Sequence, residues 1–383
     1  MKLKFKETAQ QSALIQAMGS KNMAVAREAQ EAFARLIGPV TQIVLKKAGT
    51  ASKIYTDAPY NEDTDNPSYP LDLYYNEGVG LVQVWSQNVA GGMPTSELSG
   101  LSELKFSTYR LDSAVSIAKR YARKARLDVV AKMVERMLQE VLVKRERNAW
   151  AVILKALAEA NSPIVAAQAF GAFTNTYNKH ILPTATENVF TLGDLNNLLN
   201  LIDRVNSAFD GGTPESQYSN GITELYISPE IMAQIRAMAY NPIFSTSLSS
   251  AVSTVTQLPE SAREQIYANA GTNSFYGVNL VSLKELGDGK KYNTLFNSFT
   301  TSQNVPGQNS GVWQSTDQIL VGIDNSRGAF IRPIARDGET GSTFNVEVDD
   351  QFNLKRIDKM GLFGSVQEGS VCLDAKSVVG IAC

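Results

Sequence analysis

Between Leu101 and Ser162 the chain carries neither glycine nor proline, and from Leu127 onward its apolar residues recur at helical spacing. Val130, Val134, Met137 and Val141, then Ala149, Ile153 and Leu157, stand one or two turns apart. The pattern predicts one helix from Leu127 to about Ala160, roughly 50 Å long at about 1.5 Å per residue. Few globular helices are that long. Its charged residues, among them Lys132, Glu135, Arg136, Glu140, Lys144 and Glu146, alternate in sign and suit a face turned to water or to neighbours. Taken alone, the segment reads as a buried structural helix.

The 383 residues allow two or three lobes, and 43% apolar residues exclude a disordered chain. A net charge of −2 argues against a dedicated nucleic-acid binder. The charge is blocked along the chain. Residues 1–50 carry +5, 51–100 carry −6, 101–160 carry +6 and the remainder −7. Such blocks attract one another within one subunit or between subunits, and the sequence does not choose between the two. Two cysteines, Cys372 and Cys383, make no disulfide framework, so a reducing compartment is expected. The basic start Met1-Lys-Leu-Lys-Phe-Lys lacks an apolar segment after it, and no run has the length of a membrane span. A soluble protein made inside a cell, and intact from Met1, is the expectation.

Residues 7–47 read as one or two amphipathic helices anchored by Leu14, Met18, Phe33, Leu36 and Ile37, with Gly38-Pro39 breaking or kinking them. From Tyr55 to Tyr69, Asp, Asn and Pro dominate, which predicts an extended segment with little regular structure. Strand-like segments Val79–Trp85 and Leu104–Leu111 flank the tip Ala90-Gly-Gly-Met-Pro94 and read as a long hairpin arm, followed by a basic transition over Asp112–Arg126. After a loop-rich passage, a helix starts at Thr191 or Asp194. A strand Thr223–Ile227 then leads to a helix Ile231–Ala239, with Ser228 as cap and Pro229 in the first turn. A short helix is predicted at Glu260–Ala268. Strands are predicted at 318–322, 328–333, 343–348, 353–360 and 369–373. The class is α+β.

Residues with the potential for chemistry are scattered. His180 is the only histidine and reads as a surface loop residue without a ligand-spaced neighbour. Cys372 lies in an apolar strand, as a small core residue would. Gly91-Gly92 and Gly211-Gly212 lack the Lys-Ser/Thr of a phosphate loop, and Gly287-Asp-Gly289 reads as a tight turn. No carboxylate pair has a spacing that singles out acid–base work. The basic run Lys119–Arg126 has one tyrosine and follows an acid-rich segment, so a protein contact is favoured over nucleic acid. Catalytic, cofactor and metal residues are therefore assigned to none.

The order of parts is basic helical arm, extended segment, long hairpin, long helix, mixed lobe and return through strands. It resembles the major capsid proteins of tailed bacteriophages, the Hong Kong 97 type. Thr223-Glu-Leu-Tyr-Ile-Ser-Pro-Glu230 with Ile231–Ala239 is similar to that family's strand-then-helix passage in the axial domain. Ile319–Ile331 is similar to the strand pair entering the peripheral sheet. Met360-Gly-Leu-Phe-Gly and Asp374-Ala-Lys-Ser-Val-Val are similar to its closing strands.

The resemblance implies an N-terminal arm (1–50), an extended loop and hairpin (51–126), a peripheral domain with a spine helix (127–185 and 312–365) and an axial domain (186–311 and 366–383). It implies a non-enzymatic subunit that self-assembles into pentamers and hexamers of an icosahedral head. That head would enclose double-stranded DNA touched weakly and non-specifically. Scaffold, portal and decoration proteins would be further partners, with no membrane and no cofactor. The protein would be made in a bacterial host's cytoplasm and reside in the virion; intactness from Met1 implies a separate scaffold or none. Inter-subunit contacts would involve Trp85, Tyr109, Arg110, Arg123, Lys124 and Arg126. Some relatives lock their shells with a Lys–Asn isopeptide; here Lys105 would be the donor and Asn353 or Asn325 the acceptor, against the favoured reading of a plain structural lysine. The rival readings are an encapsulin-like nanocompartment and a cytosolic α+β enzyme.

Overall fold

The predicted long helix forms from Leu127 to Ala160, 34 residues without a break. The computed structural model describes residues 9–61, 67–70, 103–124, 126–160, 180–184, 188–206, 221–237, 243–244, 255–256, 261, 264, 274–275, 277–300, 305–307, 312–338, 341–348 and 359–383. They fall into two compact units. The described residues within Met1–Pro70, Ser102–Ala149 and Phe330–Val371 make the first, and those within Trp150–Ala329 and Cys372–Cys383 the second. The long helix is thus divided between them at Ala149 and Trp150. Each of the seven apolar positions picked out by spacing is buried.

In the first unit, helix α1 (Ala9–Met18) and helix α2 (Met23–Lys47) are separated at Gly19–Asn22, where Asn22 caps α2 by accepting from the Ala24 N–H at 3.2 Å. The break predicted at Gly38-Pro39 does not occur; α2 runs through it. Proline deletes one backbone hydrogen bond, but Phe33, Ala34 and Ile37 before it and Val44 and Leu45 after it are buried and hold both halves. A short helix, α3 (Ala51–Ile54), follows.

The sheet of this unit centres on β14 (Lys359–Glu368). β14 pairs antiparallel with β4 (Tyr109–Ala118) over ten residues, from Lys359 opposite Ala118 to Glu368 opposite Tyr109. Its other edge meets β13 (Asn345–Val348) and β12 (Phe330–Arg336). β1 (Thr56–Asn61) lies parallel to β12, and the two-residue β15 (Val371–Cys372) also pairs with β12. Of the segment Tyr55–Tyr69, the described stretch Thr56–Asn61 is extended, but as a paired strand rather than an irregular one. The predicted transition Asp112–Arg126 is corrected too: β4 continues to Ala118 and a short helix, Lys119–Arg123, follows. Alternation explains β4, since Leu111, Val115 and Ile117 pack on the core while Arg110, Asp112 and Ser116 are exposed. β2 (Ser68–Pro70) and β3 (Glu103–Lys105) form a separate pair. The core joins Phe33 and Ile37 of α2 to Val130, Met137 and Val141 of the long helix and to Leu362 and Val366 of β14.

The second unit holds a six-stranded sheet ordered β5–β16–β11–β6–β10–β9, with β5 Ile181–Pro183, β6 Glu224–Ile227, β9 Ser274–Phe275, β10 Val278–Ser282, β11 Ile319–Ile323 and β16 Val378–Ala382. β11 and β16 are buried along their whole length, and both read as unbroken apolar runs because both faces are covered. The helices Leu192–Asn206 and Pro229–Ala237 cover one face through Leu195, Leu198, Ile202, Ile231 and Ile235, while Trp150 of the long helix meets Tyr226 on the other. Ser228 does cap the second: its Oγ accepts from the Ile231 N–H at 3.3 Å. A small pair, β7 (Ile243–Phe244) with β8 (Val255–Thr256), completes the described strands. The strand Val79–Trp85, the hairpin tip and most of the segments predicted at 260–268 and 353–360 lie outside the described residues.

Candidate functional site

Three features built by these elements stand out: a buried charge cluster, a basic segment and an exposed apolar stripe. The cluster lies in the first unit, where β1, β4, β12, β14 and the long helix come together. Arg332, 2% exposed in the apolar strand β12, donates from Nε to Oδ1 of Asp57 on β1 at 2.8 Å, and its Nη2 reaches the same oxygen. Arg145 of the long helix places Nε 2.5 Å from Oε2 of the fully buried Glu368 and donates from Nη1 to the Leu45 carbonyl at 3.0 Å. Tyr109 stands opposite Glu368 in the strand register.

Burial dominates the electrostatics. It raises the Glu368 pKa above the ordinary carboxylate value against the pull of Arg145 and Arg332, and it lowers that of Arg145. Tyr109 is raised by burial and then by Glu368. Two arginines and two carboxylates thus compensate one another inside the fold, an arrangement that joins strands to the helix. A carboxylate of the long helix, Glu146, accepts from the backbone N–H of Thr50 at 2.8 Å and of Ala51 at 3.0 Å, and so caps α3.

Residue spacing does not reveal this cluster, although an arginine flanked by Phe330, Ile331 and Ile334 is itself a sign that a buried anion must face it. His180 needs the opposite correction. It is 1% exposed, not a surface residue, because the backbone beside it pairs with β16: its Nδ1 lies 2.8 Å from the Val378 carbonyl and its own carbonyl accepts from the Gly380 N–H. Burial lowers its pKa below the ordinary 6.5. Burial also pushes the Cys372 thiol up to about 12 and that of Cys383 up to about 11, far from a nucleophile's range.

Of the residues expected at contacts, Trp85 and Asn353 lie outside the described residues. Tyr109 belongs to the charge cluster. Arg110 is exposed, pairs with Asp112 at 2.8 Å and lies 5.8 Å from the Phe363 ring centre. Arg123 donates from Nε to the Gly19 carbonyl at 2.8 Å, Lys124 is exposed, and Arg126 stands 3.6 Å from Asp128. Lys105 is exposed on β3, and the Asn325 backbone N–H donates to Thr223 Oγ1 at 3.0 Å. On α2, Val25, Leu36, Val40 and Ile43 share one face and are 43%, 51%, 47% and 57% exposed.

Among the described residues, no group of three His, Cys, Asp or Glu could hold a metal ion, and no helix is long and apolar enough to cross a membrane. No family model and no curated protein sequence matches the chain. Solved structures do. The capsid structure of the cyanophage P-SCSP1u is 14% identical, with 88% of each chain covered and a TM-score of 0.46. The capsid of an empty GTA particle is 8% identical, over 87% of this chain and 89% of that one, at a TM-score of 0.47. The SrpI encapsulin complex from Synechococcus elongatus PCC 7942 is 11% identical, over 74% and 76%, at 0.33.

Proposed function

We propose that this chain is a shell subunit of the Hong Kong 97 type, the major capsid protein of a tailed-phage head. Copies assemble into pentamers and hexamers and enclose double-stranded DNA; the role is structural, in the virion, after synthesis in the host cytoplasm. The observation that carries this reading is the long helix with what surrounds it. One uninterrupted helix serves two α/β units, after a basic helical segment and an edge strand, and the chain returns through β12 to β16 in the order that the resemblance requires. In this reading residues 1–50 are the arm, 51–126 the extended loop and hairpin, 127–185 and 312–365 the peripheral domain, and 186–311 and 366–383 the axial domain. Arg110, Arg123, Lys124 and Arg126 are contact residues, and scaffold, portal and decoration proteins are further partners.

The stripe on α2 supports self-association. Four large aliphatic side chains exposed along one helix face gain by being covered, at roughly 25 cal/mol per Å² of apolar surface. Electron microscopy of the expressed protein is the test. Closed particles or hexameric sheets are expected, and a monodisperse monomer at high concentration would sink the proposal. The variant Leu36→Ser/Val40→Ser/Ile43→Ser should keep the helical circular dichroism of the parent, since exposed substitutions change stability by only about 0.5 kcal/mol each. It should nevertheless lose the particles. DNA-filled particles identify a phage head, whereas small protein-filled ones identify a nanocompartment.

A further inference from the structure

At the turn between α1 and α2 a cleft of about 460 Å³ opens against the short helix Lys119–Arg123. Ala13, Ala17 and the exposed Val25 form its apolar part, Lys21 and Arg123 supply two cations, and no carboxylate lines it. Gly19 permits the close approach that builds it: a Cβ there would stand 2.6 Å from the Arg123 backbone nitrogen. Lys21 and Lys124 are both exposed, while Arg120 stacks on its neighbour Tyr121 at 5.0 Å. The cleft thus offers two cations and no carboxylate to an acidic segment.

The chain itself contains one. Residues 54–104 include no Lys or Arg, and the densest acidic run in that interval is Glu62-Asp63-Thr64-Asp65. Asp57, just before it, is already taken by Arg332. The run's flanks are pinned at the Tyr109 end of β4: Pro67 O accepts from the Phe106 N–H at 2.9 Å, and Tyr60 OH bonds Thr108 at 3.2 Å. The cleft lies beyond the Ala118 end of the same strand. Ten strand residues span about 30 Å, and five residues held at both ends reach about 10 Å from their anchors. A subunit's own acidic run cannot meet its own cleft.

We propose that the cleft receives the run Glu62–Asp65 of a second copy of this chain, a contact that rests on the shell reading and gives it a polarity. A phosphate backbone is the less favoured occupant, because the chain carries a net −2 and an acid-dense segment of its own.

The test uses purified particles and four proteins: the parent, the cleft variant Lys21→Glu, the run variant Glu62→Lys/Asp63→Lys/Asp65→Lys, and both sets in one chain. Each single set should raise the protein concentration needed for assembly about tenfold, and the combined chain should return it toward the parent's. A one-to-one mixture of the two single variants should also assemble, since each then meets an opposite charge on its neighbour. Assembly of the cleft variant at the parent's concentration overturns the contact while leaving the shell reading intact. Recovery in the combined chain without recovery in the mixture overturns the second copy as occupant. Loss of labelled duplex binding by the cleft variant, with assembly unchanged, makes the cleft a phosphate site. A parent that forms no particles overturns the shell reading, and this contact with it.

Discussion

Arg332 carries a permanent charge into the interior of β12, and its partner Asp57 lies 275 residues away in sequence. Its flanking Ile331 and Ile334 make the anomaly legible in the sequence; the partner is not, because nothing local distinguishes Asp57 from the other acids of its segment. Arg145 and Glu368 pose the same problem across the long helix and β14. Removing one member of such a pair strands the other. Arg145→Met and Glu368→Gln should each lower unfolding free energy by about 3 kcal/mol, since each leaves the other member of a buried pair uncompensated. Because burial raises the folded pKa of Glu368 above the ordinary 4.5, its contribution is complete in acid, where both states hold the proton. It is lost as pH rises through the folded pKa. Urea titrations across pH should therefore give a parent profile that falls with rising pH relative to Glu368→Gln. Parallel profiles would refute the assignment.

Local physics decides some elements, and they were readable. The long helix, the Ser228 cap and the apolar strand β11 follow from spacing, a hydroxyl before proline and an unbroken Ile-Leu-Val run. Others are decided at a distance. Asp112–Ala118 alternates Ser and Ala with apolar residues and carries no strong signal, yet ten registered pairs with β14 make it a strand. Likewise Thr56–Asn61 looks irregular until β12 lies beside it. Gly38-Pro39 shows tertiary packing overriding a breaker. The long helix should be less forgiving at its middle. Lys144 is exposed, so Lys144→Ala should be nearly neutral, while Lys144→Pro should cost at least about 3 kcal/mol by breaking the backbone ladder. It also displaces Arg145 and Glu146. Thermal melts of the two variants side by side would check this, and equal melting temperatures would contradict it.

At the scale of the whole molecule, each unit is assembled from pieces remote in sequence, a pairing that local spacing does not encode. The sheet of the second unit shows how remote. β16 lies inside it, between β5 and β11, with all five residues buried. Deleting Val378–Cys383 should therefore unfold that unit rather than fray an edge, with loss of its share of circular dichroism and recovery of the protein only in the insoluble fraction. A soluble, cooperatively melting product would contradict the topology.

The same interleaving sets a timetable for synthesis. The N-terminal half of the long helix leaves the ribosome early, but β12, β13 and β14, which close its core, come some two hundred residues later. The second unit, begun after the first, is still open until the residues of β16 have been delivered. Neither sheet is complete until these late strands are made, so a translation product interrupted before β12 has neither sheet to present. If the subunit builds a shell, that delay acts as an inspection step: only a chain read through β16 offers both finished sheets to another copy.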